Sequence, residues 1–393
     1  MKKIILILMT LAIIVSCSDV PVRPVSSFLK ESKAEYCPDR RVNIYDIEHE
    51  QKGKVVTLKG EIDNNKGLTE LVSALENEGY TVANKVRVLP DQELEGKIYG
   101  VIDRPVANIR VKPAAQTEMA TQAVLGTAIR IYKIQDKGSD RYVQTPDNYL
   151  GWIEKGAYTP MTPAEFNDWH KSEKIIYLED AGYVYQQASS TSAKVSDITA
   201  KSLLKALAYE GDYVKVEYPG GRRGYVKASE CQNFTEWKNS VEVSAESVIE
   251  LAHTYMGRPY LWGGTSTKMM DCSGYVRTIM FLHGIYLPRD ASQQALVGKT
   301  VALGNQEIDK IKSGDLLFFG RFREDGSERI THVGLYIGDS KFIHEAGDVN
   351  IMSLDPEDDN FSSYRYKTLM RAQDVINHIG ELGVKHISDV ELF

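Results

Sequence analysis

Tyr260-Leu261-Trp262-Gly263-Gly264 runs into Asp271-Cys272-Ser273-Gly274. Val276, Ile279, Met280 and His283 then recur at helical spacing, which predicts a helix starting at or near Cys272. The unpaired amides and positive dipole end of a helix N-terminus favour a thiolate over a thiol. This position therefore predicts a reactive cysteine with a lowered pKa. A lone cysteine is more often buried and inert, so the reading depends on what lies downstream.

A nucleophilic cysteine needs a base within hydrogen-bond reach, and the base needs a third group to orient it. Thr331-His332-Val333-Gly334-Leu335-Tyr336-Ile337-Gly338 alternates like a strand. Val333, Leu335 and Ile337 are expected to face the core, leaving His332 on the face of Gly334 and Tyr336. Gly338-Asp339-Ser340 reads as a turn, and Phe342-Ile343-His344 returns. His344 is then opposite or diagonal to His332, with side chains roughly 5–8 Å apart. Two histidines on paired strands below a helix-capping cysteine make a candidate triad of Cys272, His332 and His344. His344-Glu345 lacks the helical ligand spacing of a metal site, so no metal and no cofactor is expected.

The chain has 393 residues, which predicts two to four domains. A net charge of −7 without a long basic run excludes a nucleic-acid partner. Lys2 and Lys3 precede an apolar run from Ile4 to Val15 that is too short to span a bilayer comfortably. The run ends in Ile14-Val15-Ser16-Cys17, which resembles a bacterial lipobox with Cys17 as the acylated residue. Residues 1–17 are accordingly read as a lipoprotein signal and 18–36 as a polar tether. The protein is expected in the cell envelope, in the periplasm and attached to the membrane through lipid. Three cysteines remain besides Cys17, so at least one must stay free. Cys272 is the free one expected, and Cys37 with Cys231 is the pairing to consider.

Residues 37–92 read as strand, helix, strand, a small α/β segment that resembles the BON-type module of envelope proteins. Leu68, Leu71, Val72 and Leu75 mark its helix. Residues 97–160 and 174–234 are rich in short alternating strands and turns. Tyr149-Leu150-Gly151-Trp152-Ile153 closes the first and Gly224-Tyr225-Val226-Lys227 the second, which suggests a tandem repeat of about 75 residues. Residues 244–393 place helices before antiparallel strands, an α+β pattern.

Asp271-Cys272-Ser273-Gly274, His332-Val333-Gly334-Leu335-Tyr336-Ile337-Gly338 and His344 resemble the NlpC/P60 cysteine peptidase family. Arg258-Pro259-Tyr260-Leu261-Trp262-Gly263-Gly264 and Gly314-Asp315-Leu316 match the same pattern. The two all-β stretches resemble bacterial SH3 (SH3b) domains. The expected fold is multidomain: two small all-β SH3b barrels plus an α+β papain-like NlpC/P60 domain, after a small N-terminal α/β segment. This order is similar to that of the γ-D-glutamyl-L-diamino acid peptidases, or dipeptidyl-peptidases VI. The resemblance implies cleavage of the γ-D-glutamyl to diamino acid bond in murein peptides with a free N-terminal L-Ala, in cell-wall recycling. It also implies that Glu118 and Tyr149 from the first SH3b domain hold the substrate ammonium. Tyr260, Trp262, Asp271, Ser273 and Asp290 map to the remaining pocket. The residue after that aspartate is often Ser in the subfamily; here it is Ala291, with Ser292 beside it. Two other readings stand beside this one: an endopeptidase on intact peptidoglycan, and a non-catalytic lipoprotein that binds cell wall.

Overall fold

The computed structural model describes residues 23–136 and 138–393. The lipobox and Cys17 lie outside the described residues. The chain divides into two compact units. One holds the described residues up to Arg40 with Ile44–Val88, and the other holds Arg41–Asn43 with Leu89–Phe393.

In the first unit, strands Tyr45–Lys52 and Val55–Ile62 pair antiparallel, and Thr81–Val88 adds in parallel to the second. The crossover is helix α2 (Asn65–Asn77), capped by Asn64, whose side chain accepts from the Gly67 N–H. Leu71 and Leu75 bury the inward face of α2 against Val56 and Leu58. The tether expected over 18–36 is replaced from Val25 onward by a further helix, α1 (Val25–Tyr36). Val25 and Phe28 are buried in the same core, with Leu29 packed against it. Their i, i+3, i+4 spacing is an amphipathic stripe, and the intervening Ser, Lys and Glu residues occupy the wet face.

The second unit contains two seven-stranded sheets. The first, in spatial order, is Tyr158–Met161, Tyr99–Ile102, Ala128–Ile134, Arg141–Gln144, Leu150–Ile153, Val106–Arg110 and Met119–Val124. The second is Cys231–Asn233, Lys174–Tyr177, Leu203–Glu210, Tyr213–Glu217, Arg223–Lys227, Ala181–Tyr185 and Lys194–Thr199. Strand for strand, these are the same order in chain sequence. Each sheet encloses its own apolar cluster, around Ile109, Ile131 and Ile153 in one and Ile175, Val184 and Val214 in the other. The strand orders are open, with no pairing among the described residues that closes either into a barrel. Helix α3 (Pro163–Lys171) links the two sheets. It starts with a capping box between Thr162 and Glu165.

Helices α4 (Phe234–Ser240) and α5 (Ala245–Thr254) lead into α6 (Cys272–Leu282), and the short α7 (Ala291–Gln294) follows. A six-stranded sheet comes next, and α8 (Ser363–Thr368) precedes its last strand in the chain. In spatial order the sheet is Lys299–Leu303, Leu369–Asp374, Leu316–Phe322, Glu328–Gly338, Lys341–Glu345 and Val349–Ser353, every pair antiparallel. Both its faces are covered. Val333 and Leu335 pack with Tyr275, Val276 and Ile279 of α6, while Tyr336 and Phe342 pack with Leu317 and Phe319 in a separate cluster. Cys231 and Cys272 are free thiols, and no disulfide joins Cys37 to Cys231.

Candidate active site

Helix α6 begins at Cys272 because Asp271 caps it, its Oδ1 accepting from the Gly274 N–H at 2.8 Å. Such a cap stabilises a helix by about 1 kcal/mol. Asp271 also organises the surrounding loop. Its Oδ2 accepts from the Gly263 N–H at 2.9 Å and from Arg289 at 2.6 Å, and its Oδ1 accepts from the Ser273 hydroxyl at 3.0 Å. Arg289 is buried and its Nε donates to Thr121 Oγ1 at 3.0 Å, on the Met119–Val124 strand of the first sheet. Gly263 has φ +80°, and a Cβ there would lie 2.7 Å from the Met119 carbonyl oxygen. The position therefore demands glycine twice over, and the Trp262 loop docks directly on the first sheet.

The histidines meet as their strand pattern predicts. Leu335 pairs with Ile343, so His344 falls opposite Gly334 and diagonal to His332. A Cβ on Gly334 would come within 3.2 Å of the His344 Cβ and 3.0 Å of the Phe342 ring, so the glycine clears the space between the two rings. His332 Nε2 and His344 Nδ1 are 2.8 Å apart. His344 Nε2 lies 3.1 Å from Asn350 Oδ1. Asn350 Nδ2 donates to the Asp348 carbonyl oxygen and carboxylate, both at 2.9 Å.

This chain fixes every proton position. The amide nitrogen of Asn350 is committed to Asp348, so Asn350 presents oxygen to His344. His344 must then carry its proton on Nε2, and its Nδ1 accepts from His332 Nε2–H. His332 Nδ1 is left with a lone pair, as a base requires.

The Cys272 thiol departs from the expected lowering: it is pushed up to about 12. Burial is the largest cause and the Asp271 carboxylate adds to it, while the amides of Val333 and Ser273 and the Arg289 charge oppose both. A helix N-terminus contributes about 0.3–1 kcal/mol, less than one pKa unit at about 1.4 kcal/mol. Burial can move a thiol by several units, so it wins. His332 is held well below the ordinary histidine range by burial, then by Arg365 and His344. His344 is lowered to about 4, first by burial. At rest the Cys272 thiol and the His332 imidazole are thus both uncharged. Glu345, next to His344, is fully buried with neither carboxylate oxygen bonded within the protein. Burial, then Asp348 and Asp271, push it up to about 8.

One cleft holds all the pocket residues expected from the sequence: Glu118, Tyr149, Tyr260, Trp262, Asp271, Ser273 and Asp290 line it together with Cys272. Their roles divide. Both oxygens of Asp271 are taken by protein donors, and Ser273 Oγ donates to Asp271 and accepts from Arg289, so these two frame the cleft. In the same cleft, Trp262 Nε1 donates to Glu118 Oε1 at 3.0 Å and the Tyr149 hydroxyl donates to Asp290 Oδ2 at 3.0 Å. Burial, then the Asp290 charge, keep the Tyr149 phenol protonated. Burial, then Cys272 and Asp271, do the same for Tyr260.

Sequence reading missed Arg41, whose Nη1 donates to Asp290 Oδ2 at 2.7 Å and to Ser292 Oγ at 2.8 Å. No local pattern marks Arg41, since its partners lie some 250 residues away. Ser292 lines the cleft although Ala291 occupies the position before it. Asn350 was also missed, although it pairs directly with His344 on the next strand.

Residues 257–371 match the NlpC/P60 family, and residues 109–157 match the bacterial dipeptidyl-peptidase Sh3 domain. The chain therefore carries an NlpC/P60 domain behind an SH3 domain of the dipeptidyl-peptidase type. Among its relatives is the γ-D-glutamyl-L-lysine dipeptidyl-peptidase of Bacillus subtilis (strain 168), 34% identical over 199 residues. That match covers 51% of this chain and 60% of the relative, so the chain spans about three fifths of that protein's length. Dipeptidyl-peptidase 6 of Lysinibacillus sphaericus is 25% identical over 261 residues, 64% of this chain and 90% of that protein. A crystal structure of an NlpC/P60 family protein from Bacillus cereus ATCC 10987 shares the fold. Its TM-score is 0.59 at 22% identity, covering 70% of this chain and 99% of that one.

Proposed function

We propose that the protein is a cysteine peptidase that cuts the γ-D-glutamyl to L-diamino acid bond of murein peptides carrying a free N-terminal L-Ala. The observation that carries this reading is the meeting of Glu118, Tyr149 and Asp290 in one cleft with Cys272. An ammonium entering there meets two carboxylates, the exposed Glu118 and the half-buried Asp290, and Glu118 has no cation partner among the described residues. The names of the relatives from Bacillus subtilis and Lysinibacillus sphaericus point the same way.

In this reading His332 Nδ1 takes the proton from Cys272 as Sγ attacks the γ-carbonyl carbon of D-Glu. His332, now charged, is stabilised by its bond to His344 and returns the proton to the departing amine. Water then cleaves the thioester, with His332 again as base, releasing L-Ala-γ-D-Glu and the thiol. Such a substrate belongs to the cell envelope. The lipobox at Ile14–Cys17 supports anchoring there through Cys17; loss of palmitate labelling in Cys17→Ala tests that anchor.

The deciding experiment compares L-Ala-γ-D-Glu-L-Lys with its N-acetylated form. An ammonium paired with the exposed Glu118 and the half-buried Asp290 gains only ~1 kcal/mol, so acetylation should slow cleavage by roughly five- to tenfold. Equal rates would support the endopeptidase reading. One feature favours that alternative: the Arg41 ion pair already occupies Asp290.

A further inference from the structure

Arg365, in α8, is half-buried, and its guanidinium lies 5.3 Å over the Phe319 ring. The Phe319 ring in turn contacts the His332 imidazole, with 5.8 Å between ring centroids. The bonds Arg365 makes are through its backbone, whose N–H donates to Ser362 Oγ and whose carbonyl accepts from Thr368 Oγ1. Among the described residues its guanidinium has no hydrogen-bond acceptor and no anionic partner. Withdrawing a guanidinium from water without an acceptor is costly, and a planar five-donor fork suits a carboxylate.

The position says which part of a substrate it would meet. The charge of Arg365 disfavours protonation of both His332 and His344, and the Cys272 thiolate stabilises that charge in return. It is therefore in electrostatic reach of all three residues. It does not line the cleft that holds Cys272, Glu118 and Asp290. With the acyl side of the scissile bond filling that cleft, Arg365 is left to the side of the leaving amine.

We infer that Arg365 is a specificity-determining residue that binds a carboxylate on the amino acid released from the cut bond. This rests on the reaction proposed above and adds a requirement to it: the leaving residue must be anionic close to its reacting nitrogen. A C-terminal diamino acid meets that requirement through its free α-carboxylate, and its carboxamide does not.

The test compares L-Ala-γ-D-Glu-L-Lys with its C-terminal carboxamide in wild type, Arg365→Gln and Arg365→Lys, with the rate of iodoacetamide alkylation as a second readout. Wild type should favour the free acid by roughly tenfold or more, as expected for a charge-assisted bond. Arg365→Gln should lose that preference through a raised KM for the acid, leaving acid and carboxamide cleaved within about twofold of each other. Arg365→Lys, which keeps the charge and loses the fork, should retain part of the preference and guards against misfolding of the Gln variant. Equal cleavage of acid and amide by wild type would overturn the inference. So would a parallel loss on both substrates with slowed alkylation, which would place Arg365 at the thiolate instead. If wild type cleaved neither peptide, the proposed reaction itself would fall, and this inference with it.

Discussion

Asn350 sits directly opposite His344 on the neighbouring strand and takes its one N–H, so His344 can only accept from His332. The direction of that bond decides which nitrogen of His332 is basic. A residue with no contact to Cys272 therefore sets the base for the thiol.

Replacing Asn350 should reveal this through the pH profile. Asn350→Ala frees His344 to adopt either tautomer and should lower kcat by ~10–100-fold with little change in KM, as orienting groups do. Asn350→Asp keeps an acceptor but adds negative charge, so it should retain more of kcat and move the acidic limb of kcat/KM to higher pH. Equal losses in both variants without a limb shift would mean that Asn350 acts through packing alone.

The state of the thiol is open to alkylation. With Cys272 pushed up to about 12 and His332 held neutral, iodoacetamide inactivation should keep accelerating with pH beyond the ~8.5 of a free cysteine. A plateau reached near neutrality would instead demonstrate a preformed thiolate–imidazolium pair.

Glu345 is a stability liability with a defined pH window. Its carboxyl is raised to about 8 in the folded chain and titrates near 4.3 when unfolded. The unfolded state therefore releases this proton first, and stability is lost as pH rises from about 4.3 through 8. Glu345→Gln removes that titration. Its Tm should gain on wild type progressively between pH 4.5 and 8, and then hold a constant margin. A margin independent of pH would show that the group does not titrate in this range.

The Arg41–Asp290 pair makes a prediction of opposite sign from a usual binding residue. Arg41 competes with a substrate ammonium for the same carboxylate, 2.7 Å from its Oδ2. Arg41→Ala should lower KM for peptides with a free N-terminus by a few-fold, since a part-exposed pair is worth only ~1 kcal/mol, and should leave N-acetylated peptides unchanged. A raised KM for free peptides would mean that Arg41 binds substrate itself.

What could be read in the sequence follows the range of the interactions. Asp271 with the α6 helix, and His332 with His344, are encoded by spacing within one helix and one hairpin, so periodicity was enough. Asn350 lay within reach of the same argument, had the hairpin pairing been extended by one strand. Helix α1 has a polar majority that obscures Val25, Phe28 and Leu29, although their spacing is helical. Arg41 and Arg365 carry no local signal: each is brought to the site by the fold of distant segments. The thiol pKa runs against the sequence expectation because dipole and charge can be read from neighbours in the chain, whereas burial belongs to the finished core.

Arg289 holds Thr121 of the first sheet with one edge and Asp271 and Ser273, either side of the nucleophile, with another. That single buried guanidinium makes a caliper of the site. Under the proposed reaction, the jaw that grips the amino terminus and the jaw that cuts stand at a separation neither domain can alter alone. Such a site measures its substrate from one end, so the length of the released fragment is set by geometry before any side chain is recognised. A change of bite would require moving both jaws together.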